Sequence, residues 1–200
     1  AGGAAAAAAG AAAGAADGGG EAGDLIGNTT MRDNSASRDG GAVFATAAGL
    51  AIVGSALERN AAGGDGGGLA GSALTGAYAL RLVGTNVDAN SAAARGGGAF
   101  FAEAEVDARA VALEGNVAAQ GGGGLYVELS SELALHNCSL AGNTAAGASN
   151  GGGIALESDS VASVARSRRA RNVAYVNGGA VSMRDGAAWN RHAANASNVF

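Results

Sequence analysis

LEGNVAAQGGGGLYVEL, residues 113–129, holds the two signals that decide the fold. Leu113 and Asn116 frame an apolar-x-x-Asn element, and Gly123-Gly124-Leu125 opens a stretch in which Leu125, Val127 and Leu129 alternate with other residues. Alternation with period two marks a strand that buries one face. Both signals recur through the chain. Gly-Gly followed by Ala, Leu or Ile stands at Gly40-Gly41-Ala42, Gly67-Gly68-Leu69, Gly97-Gly98-Ala99, Gly123-Gly124-Leu125, Gly152-Gly153-Ile154 and Gly178-Gly179-Ala180. The third residues are 27, 30, 26, 29 and 26 apart. The asparagine recurs at Asn34, Asn60, Asn90, Asn116, Asn143, Asn172 and Asn198, at steps of 26, 30, 26, 27, 29 and 26. Two markers that keep one phase define a tandem repeat.

Counting back from each Asn exposes the apolar columns. Three residues before it stand Met31, Leu57, Val87, Leu113, Leu140, Arg169 and Asn195. Eight before it stand Ile26, Ile52, Leu82, Ala108, Leu135, Val164 and Asn190, and ten before it Asp24, Leu50, Leu80, Val106, Leu133, Ala162 and Ala188. The last two columns lie two residues apart, so they share one side of a strand. Each repeat reads as two or three short strands with turns between. Such strands are too short to stand alone but stack on the same strand of the next repeat.

The expected architecture is therefore all-β: a right-handed parallel β-helix of six to seven coils of 26–30 residues. Right-handedness follows from the strong preference of parallel crossovers. At about 4.8 Å per layer, six coils make a rod segment roughly 30 Å long. Gly-Gly serves the tight corners. Asn accepts a left-handed backbone, and stacked in every coil its amides form a hydrogen-bonded ladder.

Composition agrees. The 200 residues include 37 Gly and no Pro, which removes a ladder hydrogen bond from interior strands. All twelve basic residues are Arg, which excludes a P-loop, a Schiff-base lysine and a lysine base. A net charge of −5 gives no overall nucleic-acid footprint. One cysteine, Cys138, allows neither an intrachain disulfide nor a cysteine-based zinc site. No apolar run is long enough for a membrane-spanning helix. Residues 1–20, almost all Ala and Gly, read as a leader or linker, and residues 21–200 as the repeats of a longer chain.

The alternation of Gly-Gly-[Ala/Leu/Ile] with Leu57-Glu-Arg-Asn60, Val87-Asp-Ala-Asn90, Leu113-Glu-Gly-Asn116 and Leu140-Ala-Gly-Asn143 resembles the paired motifs of the chlamydial polymorphic outer-membrane proteins. That family usually has Phe where this chain has Leu, Val or Met, and Arg169 and Asn195 depart from the pattern. The resemblance implies a parallel β-helix in a surface-exposed or secreted structural or adhesive protein.

Several residues are candidates for chemistry. Glu128 and Glu157 hold one place after their Gly-Gly pairs and stack on adjacent coils, as a carbohydrate-active β-helix enzyme would require. Glu103 and Glu105 share a strand face, with Asp107 next. By repeat position no Arg aligns with these acids. Arg166, Arg168, Arg169 and Arg171 form a candidate docking patch for an acidic partner or glycan. Asn28, Asn137 and Asn195 lie in N-x-[Ser/Thr] sequons. His136 and His192 have no metal-ligand spacing, and Cys138 shares a small-residue column with Ser55, Val111 and Ser167. Tyr78, Tyr126, Tyr175 and Trp189 form no repeating aromatic column. The leading expectation is a non-catalytic structural or adhesive rod in an extracellular or cell-surface fibre. It needs no cofactor or metal and is partnered by its own copies, other fibre subunits, or a surface protein or glycan. The alternatives are the polysaccharide-cleaving enzyme and a glycan- or protein-binding module.

Overall fold

The computed structural model describes residues 24–190 apart from 48, 77, 78 and 148; the expected leader, Tyr78, His192, Asn195 and Asn198 lie outside the described residues. Parallel strands stack into a β-solenoid of about six turns with almost no helix. Each full coil contributes four strand segments, one more than the sequence pattern resolves. In the second coil they are Leu50–Val53, Ala56–Glu58, Ala61–Ala62 and Leu69–Leu74, here called faces A, B, C and D. The two-residue strands of face C escape a periodic reading because they complete a single alternation. Faces B and C are sheets of six strands each. Faces A and D fuse into one sheet of twelve, because Ala99–Arg109 runs without a break from face D into face A of the next coil.

Like residues stack on like. On face A the Cα partners are Asp24, Leu50, Leu80, Val106, Leu133, Ala162 and Trp189. On face B, Met31, Leu57, Val87, Leu113, Leu140 and Arg169 form the inward column. Face D adds Val43, Leu69, Ala99, Leu125, Ile154 and Val181. These columns meet in one core, where Leu57, Leu80, Leu113, Leu140 and Ile154 are fully buried. Each such side chain contributes on the order of 1.5–3 kcal/mol. Burial is thus spread over every coil, so small strands suffice.

Variation in coil length is confined to two corners. Leu74 pairs with Ala104 and Leu80 with Val106, so the four extra residues of the 30-residue repeat bulge between Leu74 and Leu80, at the D–A corner. In the fifth coil two further residues enter between Thr144 and Ile154, at the C–D corner. The A–B and B–C corners never vary, and both turn on aligned left-handed residues. Asn28, Gly54, Gly84, Ala110, Asn137 and Arg166 form the first set; Asp33, Arg59, Ala89, Gly115, Gly142 and Arg171 form the second.

The glycine motif is longer than a pair, and its frame shifts at both ends. Val43, not Ala42, pairs with Leu69, and Val181, not Ala180, pairs with Ile154. The repeating unit is Gly-Gly-[Gly/Ala]-apolar. Its first glycine has positive φ, as at Gly96, where a Cβ would sit 2.3 Å from the Ala99 carbonyl oxygen. Its third lies under the next coil's ladder asparagine: a Cβ on Gly98 would come within 3.1 Å of the Asn116 amide.

The final coil departs by one residue from the apolar columns read in the sequence. Ala162 pairs with Trp189 and Ser163 with Asn190, so Trp189 takes the inward column assigned to Ala188. A slip of one residue exchanges the faces of a strand. Here it brings the half-buried indole onto the core and takes Asn190 off the column of Val164.

Candidate functional site

Two networks tie the coils together, and they differ in kind. The first is the asparagine column at the B–C corner. The Asn116 Nδ2 donates to the Asn143 Oδ1 (2.9 Å) and to the Val87 carbonyl (2.8 Å). The Asn116 Oδ1 accepts the Asn90 backbone N–H (2.9 Å) and its Nδ2 (3.1 Å). Asn34, Asn60, Asn90 and Asn143 donate in the same manner to the asparagine of the next coil, ending at Asn172. Asn60, Asn90, Asn116 and Asn143 are buried. Each of these four satisfies both ends of its amide, which is what burial of a polar side chain requires.

The second network lies on the outer side of face D. Arg95 reaches in both directions: its guanidinium is 2.8 Å from Asp65 Oδ2 and 2.7 Å from Glu128 Oε2. It also lies over two rings, 4.8 Å from the Phe100 centroid and 5.0 Å from that of Tyr126. Those rings stack on each other at 5.9 Å and 17°. Phe100 and Tyr126 are register partners, so an aromatic column does exist over two coils. It continues through Ala70 to Phe44 on one side and ends at Ala155 on the other. Glu157 follows Leu156, the partner of Val127, and so stands beside Glu128 on the adjacent coil. Its carboxylate is 3.8 Å from the Arg184 guanidinium.

Charges in this network are displaced from their solution behaviour. Burial pushes the Glu128 carboxyl up, and the Arg95 charge only partly opposes that. Burial also works against the Arg95 guanidinium, but the Asp65 and Glu128 carboxylates outweigh it and hold Arg95 charged. The Tyr126 hydroxyl is raised by burial and by the Glu157 carboxylate. Repeat position alone had separated the arginines from the acids. Arg95 joins them because its side chain spans a whole coil step to Glu128, which no column count reveals.

The remaining candidates are scattered. Arg166 and Arg171 stand at different corners, Arg168 points outward from face B, and Arg169 turns inward in the column of Leu140. Its guanidinium lies 5.0 Å from the centre of the Trp189 ring. Burial lowers its affinity for the proton. Four basic residues adjacent in sequence therefore do not share one surface. Asn28 and Asn137 are exposed and occupy left-handed positions of one corner column, which gives both a backbone reason to be Asn. His136 is exposed. Cys138 is buried in the column of Ser55, Thr85, Val111 and Ser167, its N–H bonded to the Ser167 hydroxyl at 3.0 Å, and burial raises its thiol. Glu103 is an exposed kink with φ of 50°, whereas Glu105 and Asp107 join Glu132 along a shallow groove of about 320 Å³ on face A. Asp107 is already paired with Arg109 at 2.9 Å.

Asp39, Phe44, Asp65, Arg95 and Phe100 were not singled out by repeat reasoning. A signal existed for the aromatics: in the corrected glycine frame, Phe44, Phe100 and Tyr126 all follow the apolar residue of the motif. No family model matches the chain, and comparisons with curated proteins and with solved structures find no match either.

Proposed function

We propose that the chain is a rigid, non-catalytic segment of a surface or extracellular fibre or appendage, structural and adhesive in role. The observation that carries this reading is the asparagine column from Asn34 to Asn172, buried in its four interior members, in which each asparagine is bonded to that of the next coil. A stacked rod separates its ends while using few large residues, and its terminal strands offer edges for end-to-end addition. Its partners on this reading are further copies, other fibre subunits, and a cell-surface protein or glycan. The likeness of the Gly-Gly and apolar-x-x-Asn motifs to polymorphic outer-membrane proteins supports the same setting. The test is electron cryomicroscopy of the native assembly, traced beyond both ends of this segment. Continuation of the rod into neighbouring subunits upholds the proposal; capped coils and long loops framing a cleft around Glu128 and Glu157 overturn it.

One observation favours a second reading, a polysaccharide-cleaving enzyme. Glu128 and Glu157 stand on adjacent coils, about 4.8 Å apart at the backbone, with Arg95 and Tyr126 beside them. Two carboxylates flanking the scissile bond at about this spacing are what glycoside cleavage requires. Release of reducing ends from a panel of acidic and neutral polysaccharides, lost in Glu157→Gln, is the result this reading requires.

A further inference from the structure

The outer side of face D contains one ring-and-carboxylate cage around Arg95 and, one coil earlier, a second set of such groups that shares Asp65 and Phe100 with it. In the first cage the Arg95 guanidinium lies over Phe100 and Tyr126 and is held by Asp65 and Glu128. The chain repeats these ingredients across the second coil. Phe44 and Phe100 stand on either side of Ala70 in one column, two coil steps or about 9.6 Å apart. Asp39 and Asp65 stand beside them, and Ala70, Gly71 and Ser72 form a low floor between the rings. Together with Arg95, these residues enclose a notch of about 250 Å³.

The acids are placed by the fold. The Asp65 backbone N–H donates to Asp39 Oδ1 at 2.8 Å, as the Arg95 backbone N–H donates to Asp65 Oδ1 at 2.9 Å. Position 65 is thus the structural counterpart of position 95, one coil earlier. Where the third coil has an arginine, the second has an aspartate. Gly64 leaves room for the Asp39 carboxylate, since a Cβ there would lie 2.2 Å from Oδ1. Among the described residues no basic side chain forms an ion pair with Asp39. Phe44 is 55% exposed, far more than Phe100 at 8%.

We propose that this notch binds an organic cation, a guanidinium or alkylammonium group, supplied by another molecule. Aromatic faces attract cations through the ring quadrupole, and partial desolvation strengthens that attraction. The Asp39 carboxylate adds charge complementarity that a neutral sugar would not use, whereas Asp65 already holds Arg95 with both oxygens. Arg95 supplies the internal precedent: the chain already holds one guanidinium with this set of groups. The inference does not depend on the rod being part of a fibre.

The test uses the intact chain and amide chemical-shift titration. The probes are N-acetyl-arginine methylamide, N-acetyl-lysine methylamide, spermidine and, as a neutral control, methyl glucoside. A cation probe should shift the amides around Asp39–Phe44 and Ala70–Ser72 at millimolar concentration, and added salt should weaken the effect. Phe44→Ala and Asp39→Asn should each weaken it about three- to tenfold; both positions are at the surface, and Asn can still accept the Asp65 N–H. Unchanged amides around Asn116 would verify that each variant remains folded. Preference for the arginine or lysine amide assigns the cation to a protein partner, and preference for spermidine assigns it to a free polyamine. No shift with any cation, equal shifts with methyl glucoside, or shifts undiminished in both variants would overturn the proposal.

Discussion

The asparagine column and the Arg95 network both join neighbouring coils, yet they solve the problem in opposite ways. The column repeats one residue at one position, so each rung meets an identical partner and the pattern extends with the chain. The network uses a different residue in each coil: Asp65, then Arg95, then Glu128. It cannot be propagated, because a further coil has no set partner to offer. Repetition therefore supplies stacking, and departure from repetition supplies a locality. A rod built from the column alone would be the same along its whole length; face D marks particular coils.

That contrast predicts unequal losses. Asn116→Ala leaves the Asn90 N–H, the Asn90 Nδ2 and the Val87 carbonyl short of a buried partner. A loss of about 3 kcal/mol or more is expected, since each orphaned buried group costs about 1–3 kcal/mol. Urea unfolding followed by circular dichroism measures it, and a loss below about 1 kcal/mol would remove the column's claim to hold the register. Gly98→Ala comes next. Its Cβ must displace the Asn116 amide or the Gly124 carbonyl, at 3.1 and 2.7 Å, so about 1–3 kcal/mol is expected from overpacking. The end coils already carry Ala at this position, so Ala42→Gly should change the midpoint little in the same assay; equal effects at 98 and 42 would break the distinction between interior and end.

Arg95→Met should cost less, about 1–2 kcal/mol, because the pair is partly exposed and the aliphatic stem can be replaced. Adding Glu128→Gln should recover part of that loss in a double-mutant cycle, because the remaining half-buried carboxylate is then neutral. Absence of coupling would show that Arg95 acts by packing on its rings alone. The smallest effect concerns Asp88, which stacks between Glu58 and Glu114 on face B. Burial and the Glu114 charge raise its carboxyl to about 6, and its Oδ1 is buried without a partner among the described residues. The folded chain then holds a proton that the unfolded chain releases near the ordinary value of 3.8. Stability should therefore increase as pH falls through 6 toward 4. Melting midpoints of Asp88→Asn, compared with the parent at pH 7 and pH 5, should be higher at pH 7 and show a flatter pH dependence.

The sequence exposed what repeats and concealed what does not. Asn60, Leu57 and Ile52 could be placed because their counterparts lie one period away. Face C was invisible, since Ala61–Ala62 carries no periodicity of its own. The frame error at Ala42 and Ala180 arose from reading a glycine pair where the backbone uses three positions, the third of which admits Ala only at the ends. The offset at Trp189 is already set on face D: Ile154 to Val181 and Ala162 to Trp189 are both 27 residues, one more than a count back from Asn198 allows. The candidate site was half legible: the Glu128 and Glu157 stack followed from spacing, whereas Arg95 entered through reach, and reach is not periodic. The chemistry around Asp39 could be found only once positions 39, 65 and 95 were seen to be equivalent corners.

Because the strands run across the stack, the hydrogen bonds between coils lie along its length. A pull from end to end therefore loads the coil junctions in series, each carrying the full force, and the first to part is the weakest. The junction closed by Leu140 against Arg169 has the poorest apolar contact of its column. It is the expected fuse of the rod: extension under tension should begin by peeling the final coil, while the interior junctions, with buried amides and an apolar side chain on both sides, remain shut.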